Sequence, residues 1–335
     1  MSRVTVIGGG SWGTAIAAHL ARKGEAVCLW TLEPEVARAV EERQENPRYL
    51  PEVALPSELR ATSDLAAALA GAEVVVSVSP SQHVATVMTR AAEYVPTGAL
   101  VISASKGIET ATLRRMDQVL ADVLGEERMR RFAVLSGPSF AREVALQTPT
   151  AVVAASSDAG VAADVQALFQ TSAFRVYTNR DVIGVELGGA LKNVIALAAG
   201  VAAGLGFGHN TMAALITRGL AEMRRLGVAM GARPETFSGL AGMGDLVLTC
   251  TGELSRNRTV GFRLGQGESL EEILGHMHAV AEGVKTAQAV HELARRHAVE
   301  MPISEQVYRM LVEDVHPLEA LRALMERDPK PEEWS

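Results

Sequence analysis

Arg3 to Lys23 reads RVTVIGGGSWGTAIAAHLARK, a β-branched run, three glycines and then an alanine-rich helical pattern that Gly24 closes. Gly8, Gly10 and Gly13 are spaced G-x-G-x-x-G between strand and helix. The first glycine allows a tight turn, the second a close approach by a pyrophosphate, and the third close packing of helix on strand. Unpaired N–H groups and the dipole at the helix start favour phosphates there. A glycine turn of this kind can be purely structural. Here it opens the chain, and Ala26 to Trp30 (AVCLW) supplies the next strand, so the context predicts a dinucleotide site.

The second strand ends in Thr31, Leu32 and Glu33. Glu33 stands where an acidic residue meets the ribose hydroxyls, and no arginine stands at these three positions to receive a 2′-phosphate, which leans towards NAD over NADP. A second reading stays open: Glu33, next to Pro34, belongs to the first turn of a solvent-facing helix. Arg38 or Arg43 could still reach a phosphate.

Beyond a loop punctuated by Pro47, Pro51 and Pro56, apolar strands alternate with helices. Strands are predicted over Glu73 to Val78, Leu100 to Ser103, Phe132 to Leu135, Ala151 to Ala154 and Phe174 to Tyr177, with helical patterns near 81 to 92, 112 to 124 and 160 to 170. That alternation predicts an α/β fold with a doubly wound, mostly parallel sheet, whose ligands collect outside the strand C-termini. Those ends carry Ser79-Pro80-Ser81, Ser103 to Gly107 with Lys106, and Ser136 to Ser139. Lys106 reads as a surface lysine or as a cation on the ligand side. Gly137, Pro138 and Ser139 form either a plain turn before the helix that begins near Phe140 or a helix start that holds a ligand's polar groups. From Asp181 the pattern is helical, rich in Ala, Gly, Leu and Met. The expected domains are 1–180 and 181–335, with the boundary between about 178 and 185.

With 335 residues, 48% hydrophobic and 21% charged, the chain can bury a large core. A formal net charge of −7 argues against nucleic acid or an anionic membrane as the main partner. Two cysteines, Cys28 and Cys250, make neither a disulfide framework nor a metal site, so no metal is expected. The first residues are expected to run straight into a strand with no cationic leader and apolar h-region, and no apolar run is expected to reach membrane-spanning length. The expected compartment is the cytoplasm.

Glu186 to Ala199, ELGGALKNVIALAA, sets one ammonium and one amide in an otherwise small and apolar helix. Helical spacing puts Leu187, Leu191, Val194, Ile195 and Ala198 on buried rows, so Lys192 sits beside a core. Such a lysine snorkels outward or serves chemistry. When hydride moves between a nicotinamide and a carbonyl carbon, the oxygen needs a proton donor and the reverse reaction a base, and a lysine can be both. Lys106 is a cation able to shift Lys192, and Asn193 can hydrogen-bond beside the reacting carbon. Asp245, in GMGDLV, either orients Lys192 or caps a turn. Ser255, Arg256 and Asn257 gather a cation with hydroxyl and amide donors at a predicted helix start, which is a phosphate cradle by composition or an ordinary capped helix.

GGGSWGTA, SASKGIE, LSGPSFA, ELGGALKNVIALAAG, ITRGLAEM, GLAGMGDLVLTCTG, LSRNR and VAEGVKTA, in this order, closely resemble the bacterial NAD(P)-dependent sn-glycerol-3-phosphate dehydrogenases, from residue 3 to about 310. The resemblance implies an N-terminal Rossmann-like domain, a C-terminal all-helical domain with the active site between them, and a homodimer. It implies interconversion of dihydroxyacetone phosphate and glycerol 3-phosphate for phospholipid synthesis. Residue by residue, it implies that Lys192 exchanges the proton and that Lys106, Asn193 and Asp245 complete the reacting centre. Gly137 and Ser139 would line the substrate pocket, with Ser255, Arg256 and Asn257 holding phosphate and hydroxyls. Ser11, Trp12, Lys106, Ala141, Arg256, Val280 and Glu282 match cofactor contacts. Many relatives carry Arg or His and then a basic residue where this chain has Leu32 and Glu33, so NADH is expected to serve at least as well as NADPH. The nearest rivals are a β-hydroxyacid dehydrogenase, which would not require the phosphate cradle, and a dinucleotide sensor, which would not need Lys192, Lys106 and Asp245 together.

Overall fold

The computed structural model describes residues 1–277 and 280–332. Among these, eight strands form one sheet in the order β3-β2-β1-β4-β5-β6-β7-β8. They are β1 (Arg3–Ile7), β2 (Ala26–Trp30), β3 (Arg60–Thr62), β4 (Val74–Ser77), β5 (Leu100–Ser103), β6 (Phe132–Ser136), β7 (Thr150–Ala155) and β8 (Phe174–Asn179). Every pairing is parallel except β6 with β7. Val4 of β1 pairs with Val27 on one side and Val74 on the other, so the strand order reverses at β1 and β4 and opens a crevice at their C-terminal ends.

The helices of this half are α1 (Ser11–Lys23), α2 (Pro34–Arg43), α3 (Leu65–Leu69), α4 (Val84–Ala91), α5 (Met116–Arg128), α6 (Ala141–Ala145) and α7 (Ala159–Phe169). They cover both faces. Val4 and Val6 join Ile16, Leu20 and Phe169 in one core, while Ile7 and Val75 join Leu69, Met88 and Leu120 in the other. The chain continues as α8 (Val182–Gly204), α9 (His209–Ala229), α10 (Pro234–Phe237), α11 (Asp245–Thr251), α12 (Arg256–Gly265), α13 (Leu270–Gly275), α14 (Glu282–Arg296), α15 (Pro302–Val312) and α16 (Pro317–Met325). Pro34, Pro234, Pro302 and Pro317 open their helices in the first turn, where a missing N–H costs nothing.

Sequence and structure differ in detail. Strand β3 and helix α3 are not legible as elements, because β3 is a three-residue edge strand and α3 a five-residue helix, too short for periodicity, while the helix weighed beside Pro34 is α2. The predicted helix at 81 to 92 splits into a 3-10 turn over Ser81–His83 and α4. The pattern at 112 to 124 is α5, which starts four residues later. The expectation of no membrane-spanning run is corrected: α8 has 23 residues and an 18-residue window of mean hydropathy 1.6, long and apolar enough by composition. It is nevertheless 83% buried in protein over that window and carries Glu186 and Lys192, as a core helix can.

The chain divides into two compact units, Met1–Lys106 with Arg114–Glu186, and Gly107–Leu113 with the chain from Leu187 onward.

Candidate active site

In the first unit, the turn after β1 uses its glycines unequally. Gly8 has φ +133°, and Gly13 packs so tightly that a Cβ there would lie 1.8 Å from the Gly8 carbonyl oxygen. Gly10, the N-cap of α1, has an ordinary φ of −69° and would place a Cβ against nothing within 4 Å. Neither backbone conformation nor packing therefore requires a glycine at position 10. No side chain caps α1, so its first N–H groups face outward, and the buried Trp12 Nε1 has no hydrogen-bond partner. Bare backbone with unused donors is what a pyrophosphate needs, and these residues fit a dinucleotide.

Glu33 is the N-cap of α2, not part of its first turn, and its carboxylate does not cap the helix. Its Oε1 accepts from the Tyr49 hydroxyl at 2.6 Å and its Oε2 from the Thr31 hydroxyl at 3.1 Å, with Arg48 at 3.9 Å. Partial burial would raise its pKa, but the Tyr49 bond, its own backbone N–H, Thr31 and Arg48 outweigh this and hold it below the usual carboxylate value. Arg43 is paired with Glu45 at 2.6 Å. Lys106 Nζ donates to the Gly137 carbonyl at 2.9 Å, as does the Ser139 hydroxyl at 2.9 Å, which binds the ends of β5 and β6 to one turn. Gly137 has φ +129°, a left-handed conformation that excludes other residues without strain. Ala141 is the first residue of α6 and packs on the core.

In the second unit, Lys192 is 7% exposed on α8. Its Nζ donates to Asp245 Oδ1 at 2.7 Å and to Thr249 Oγ1 at 2.7 Å. Thr249 gives its own proton to the Asp245 carbonyl at 2.6 Å, so towards Lys192 it is an acceptor. A buried ammonium needs such partners, because its desolvation is otherwise unrecovered. Asp245 opens α11 and is 1% exposed; the capping role goes to Gly244. A π-helical turn over Leu240–Gly244 precedes it and lies directly on α8 at Gly188, where a Cβ would come 2.5 Å from the Ala241 carbonyl. Lys192 stands one helical turn beyond Gly188, which aims Asp245 at it.

Asn193 accepts from Asn257 Nδ2 at 2.9 Å through Oδ1, and Asn257 Oδ1 accepts the Gly283 N–H at 2.9 Å. One Nδ2 hydrogen of Asn257 thus remains for a ligand. Ser255 caps α12 by accepting the Arg258 N–H at 3.2 Å. Helix α12 meets α8 backbone to backbone: a Cβ on Gly200 or Gly204 would lie 2.1 or 2.2 Å from the carbonyls of Arg258 and Phe262, and Gly261 and Gly265 face α8 in the same way. Arg256 is exposed, yet surrounding protein desolvates it and lowers its pKa, with Glu282 at the start of α14 opposing that shift. Val280 is 45% exposed. Among the described residues no three His, Cys, Asp or Glu side chains gather where they could hold a metal ion.

Thus Lys192–Asp245 and Asn193–Asn257 are two buried pairs carried by neighbouring residues of α8, while the Gly8 to Gly13 turn, Glu33, Lys106, Gly137 and Ser139 lie in the other unit. Sequence reading missed Thr249, whose signal was its place four residues after Asp245 on an apolar helix. It also missed Asn46 and Tyr49, which lie in an irregular loop that offers no periodicity.

Residues 3–162 match the family model described as the NAD-dependent glycerol-3-phosphate dehydrogenase N-terminus, and residues 181–322 match the one for its C-terminus. The chain belongs to this family. Glycerol-3-phosphate dehydrogenase (NAD(P)+) of Geobacter sulfurreducens is 59% identical over 99% of both chains, and that of Koribacter versatilis 51% identical over the whole of both. The crystal structure of glycerol-3-phosphate dehydrogenase from Coxiella burnetii superposes with a TM-score of 0.92 at 42% identity, covering 97% of this chain and 99% of that one. A ketopantoate reductase from Ralstonia eutropha, at 16% identity and a TM-score of 0.60, shares the fold alone. The glycerol-3-phosphate dehydrogenase family models thus span the glycine turn, Lys192 and the Ser255 to Asn257 segment.

Proposed function

We infer that the protein is an NAD(P)-dependent sn-glycerol-3-phosphate dehydrogenase that interconverts dihydroxyacetone phosphate and sn-glycerol 3-phosphate, the latter a backbone for glycerophospholipids. The observation that carries this reading is the buried Lys192–Asp245–Thr249 centre, linked through α8 to the Asn193–Asn257 pair and the cradle at the start of α12. The nicotinamide supplies or accepts the hydride. Lys192 gives its proton to the substrate carbonyl oxygen in reduction and takes it back in oxidation. Asp245 fixes the ammonium and offsets its charge in a desolvated site. Asn193, its Oδ1 held by Asn257 and one amide hydrogen directed at the Gly189 carbonyl at 3.5 Å, offers its other N–H to the reacting oxygen. Arg256 binds the phosphate with bidentate geometry, aided by Ser255 and the free Nδ2 hydrogen of Asn257. Lys106, Gly137 and Ser139 line the substrate site, and Ser11, Trp12, Ala141, Val280 and Glu282 contact the cofactor.

Glu33 is ionised and engaged, with no cation at Leu32, so NADH serves at least as well as NADPH; a strong kinetic preference for NADPH would refute this. The enzyme works in the cytoplasm as a homodimer, for which the half-exposed Met212, Leu215, Ile216 and Leu220 of α9 offer an apolar face. A monomer in sedimentation at micromolar concentration would overturn the dimer.

The test follows oxidation of NADH and of NADPH with dihydroxyacetone phosphate by the wild type and Lys192→Ala. The expected loss in kcat is about 10²–10⁴-fold with cofactor binding retained. Full turnover in the variant would remove Lys192 from the chemistry.

A further inference from the structure

The segment from Glu45 to Leu50 is irregular, yet it is tied to three separate parts of the expected dinucleotide site. Asn46 is completely buried. Its Nδ2 donates to the Gly9 carbonyl at 2.9 Å and to Thr14 Oγ1 at 2.8 Å, and its Oδ1 accepts the Tyr49 N–H at 3.1 Å. The Tyr49 carbonyl in turn accepts the Ser11 hydroxyl at the first residue of α1. The Tyr49 hydroxyl reaches the end of β2, where it donates to Glu33. One buried amide and one tyrosine therefore fix the glycine turn, the start of α1 and the ribose-reading acid against one another.

Tyr49 also restrains the nearest cation. The Arg48 guanidinium lies over the Tyr49 ring at 5.2 Å, 3.3 Å from Glu35 and 3.9 Å from Glu33. A 2′-phosphate would need such a cation unpaired, whereas here two carboxylates and an aromatic face already hold it. Glu33 still has lone pairs to accept from ribose hydroxyls, since each oxygen is engaged by a single hydroxyl donor.

We propose that Asn46 is a positioning residue for the dinucleotide turn, and that Tyr49, by fixing Glu33 and Arg48, sets the preference for a cofactor with a free 2′-hydroxyl. This rests on the reading of the first unit as a dinucleotide site. Deleting the Tyr49 hydroxyl frees Glu33 to swing, which weakens the grip on the 2′-hydroxyl, while Arg48 keeps the ring and Glu35. Deleting the Asn46 amide loosens the glycine turn, which both cofactors share.

The experiment measures dissociation constants for NADH and NADPH by nicotinamide fluorescence, and kcat and KM with dihydroxyacetone phosphate, for the wild type, Tyr49→Phe and Asn46→Ala. Tyr49→Phe should lower the NADH-to-NADPH ratio of kcat/KM at least fivefold, with kcat at saturating NADH within twofold of the wild type. Asn46→Ala should raise both dissociation constants at least fivefold and leave their ratio unchanged. An unchanged ratio in Tyr49→Phe overturns its specificity role, and unchanged affinities in Asn46→Ala overturn its positioning role. If Asn46→Ala does not fold, Asn46→Ser takes its place. A wild type that turns over dihydroxyacetone phosphate but fails these contrasts refutes this inference alone, while one that binds neither cofactor refutes the dinucleotide reading beneath it.

Discussion

At the scale of single residues, two glycines of one motif carry opposite burdens. Gly13 is a packing glycine, because a Cβ would strike the Gly8 carbonyl at 1.8 Å. Gly10 bears no structural load, so Gly10→Ala should leave the melting temperature within about 2 °C while raising the cofactor dissociation constant tenfold or more by occupying the space of the pyrophosphate. Thermal melts with a fluorescence titration check it, and unchanged cofactor affinity would sink the assignment. Such a division is invisible in the sequence, where both positions are one letter. The buried lysine and its partners show the same limit. Lys192 and Asp245 stand out in the sequence because the single cation of an otherwise apolar helix and an acid in a glycine run demand an explanation. Thr249 was not, since a threonine can satisfy itself on its own helix. Only geometry reveals that its proton is already committed and its oxygen faces Lys192.

Among the elements, the contact of α8 with α12 decides whether the two parts of the second unit's site meet. Leucines or valines there would separate the axes, whereas Gly200, Gly204, Gly261 and Gly265 let the backbones touch. Gly200→Ala should cost about 1–3 kcal/mol of stability by forcing that contact open. Because Ser255 to Asn257 ride on α12, the KM for dihydroxyacetone phosphate should rise several-fold with the KM for NADH little changed. A variant that loses stability with both constants unaltered would show that the helices yield elsewhere. Long elements of this kind were legible: β1, α1 and β2 begin and end where the β-branched run, the glycines and the alanine-rich pattern place them. The short edge strand β3 and the loop from Glu45 to Leu50 were not, because their positions follow from hydrogen bonds to distant backbone, Thr31 to Thr62 and Asn46 to Gly9, and not from a local period. The π-helical turn before Asp245 was equally hidden, since its seat on α8 depends on the room at the distant Gly188.

For the whole molecule, two buried carboxyls, one in each unit, make stability depend on pH in an unusual direction. Glu222 of α9 is 2% exposed and accepts from the Ile303 and Ser304 N–H groups and the Ser304 hydroxyl, at the start of α15. Burial pushes its pKa up to about 7 in spite of those bonds. Glu186 accepts the Asp117 N–H at the start of α5, and burial, with Asp117 beside it, raises its pKa well above the usual range against the pull of Arg115. Between about pH 4.5 and 7 the folded chain holds a proton at Glu222 that the unfolded chain has lost, so unfolding releases it and stability falls as pH rises through that window. For Glu222 the effect is at most about 3 kcal/mol. His19, whose pKa burial lowers, works the other way, since unfolding takes up a proton there and its contribution is lost as pH falls through its unfolded value near 6.5. Glu268, Glu292 and Glu300, with lowered values, act only below about pH 4.5 and leave the window clear. The difference between the wild type and Glu222→Gln therefore isolates the buried acid. Calorimetric unfolding at pH 6, in buffers of different ionisation enthalpy, should show about one more proton released by the wild type. The wild type should also lose more of its melting temperature than the variant between pH 5.5 and 7.5. Glutamine keeps the Ile303 bond and can donate to the Ser304 hydroxyl but cannot accept the Ser304 N–H through its amide nitrogen, so the variant starts from lower stability at pH 5.5, and the two curves should converge as pH rises. Parallel curves with equal proton release would mean that Glu222 is ionised in the folded protein, held by its three donors.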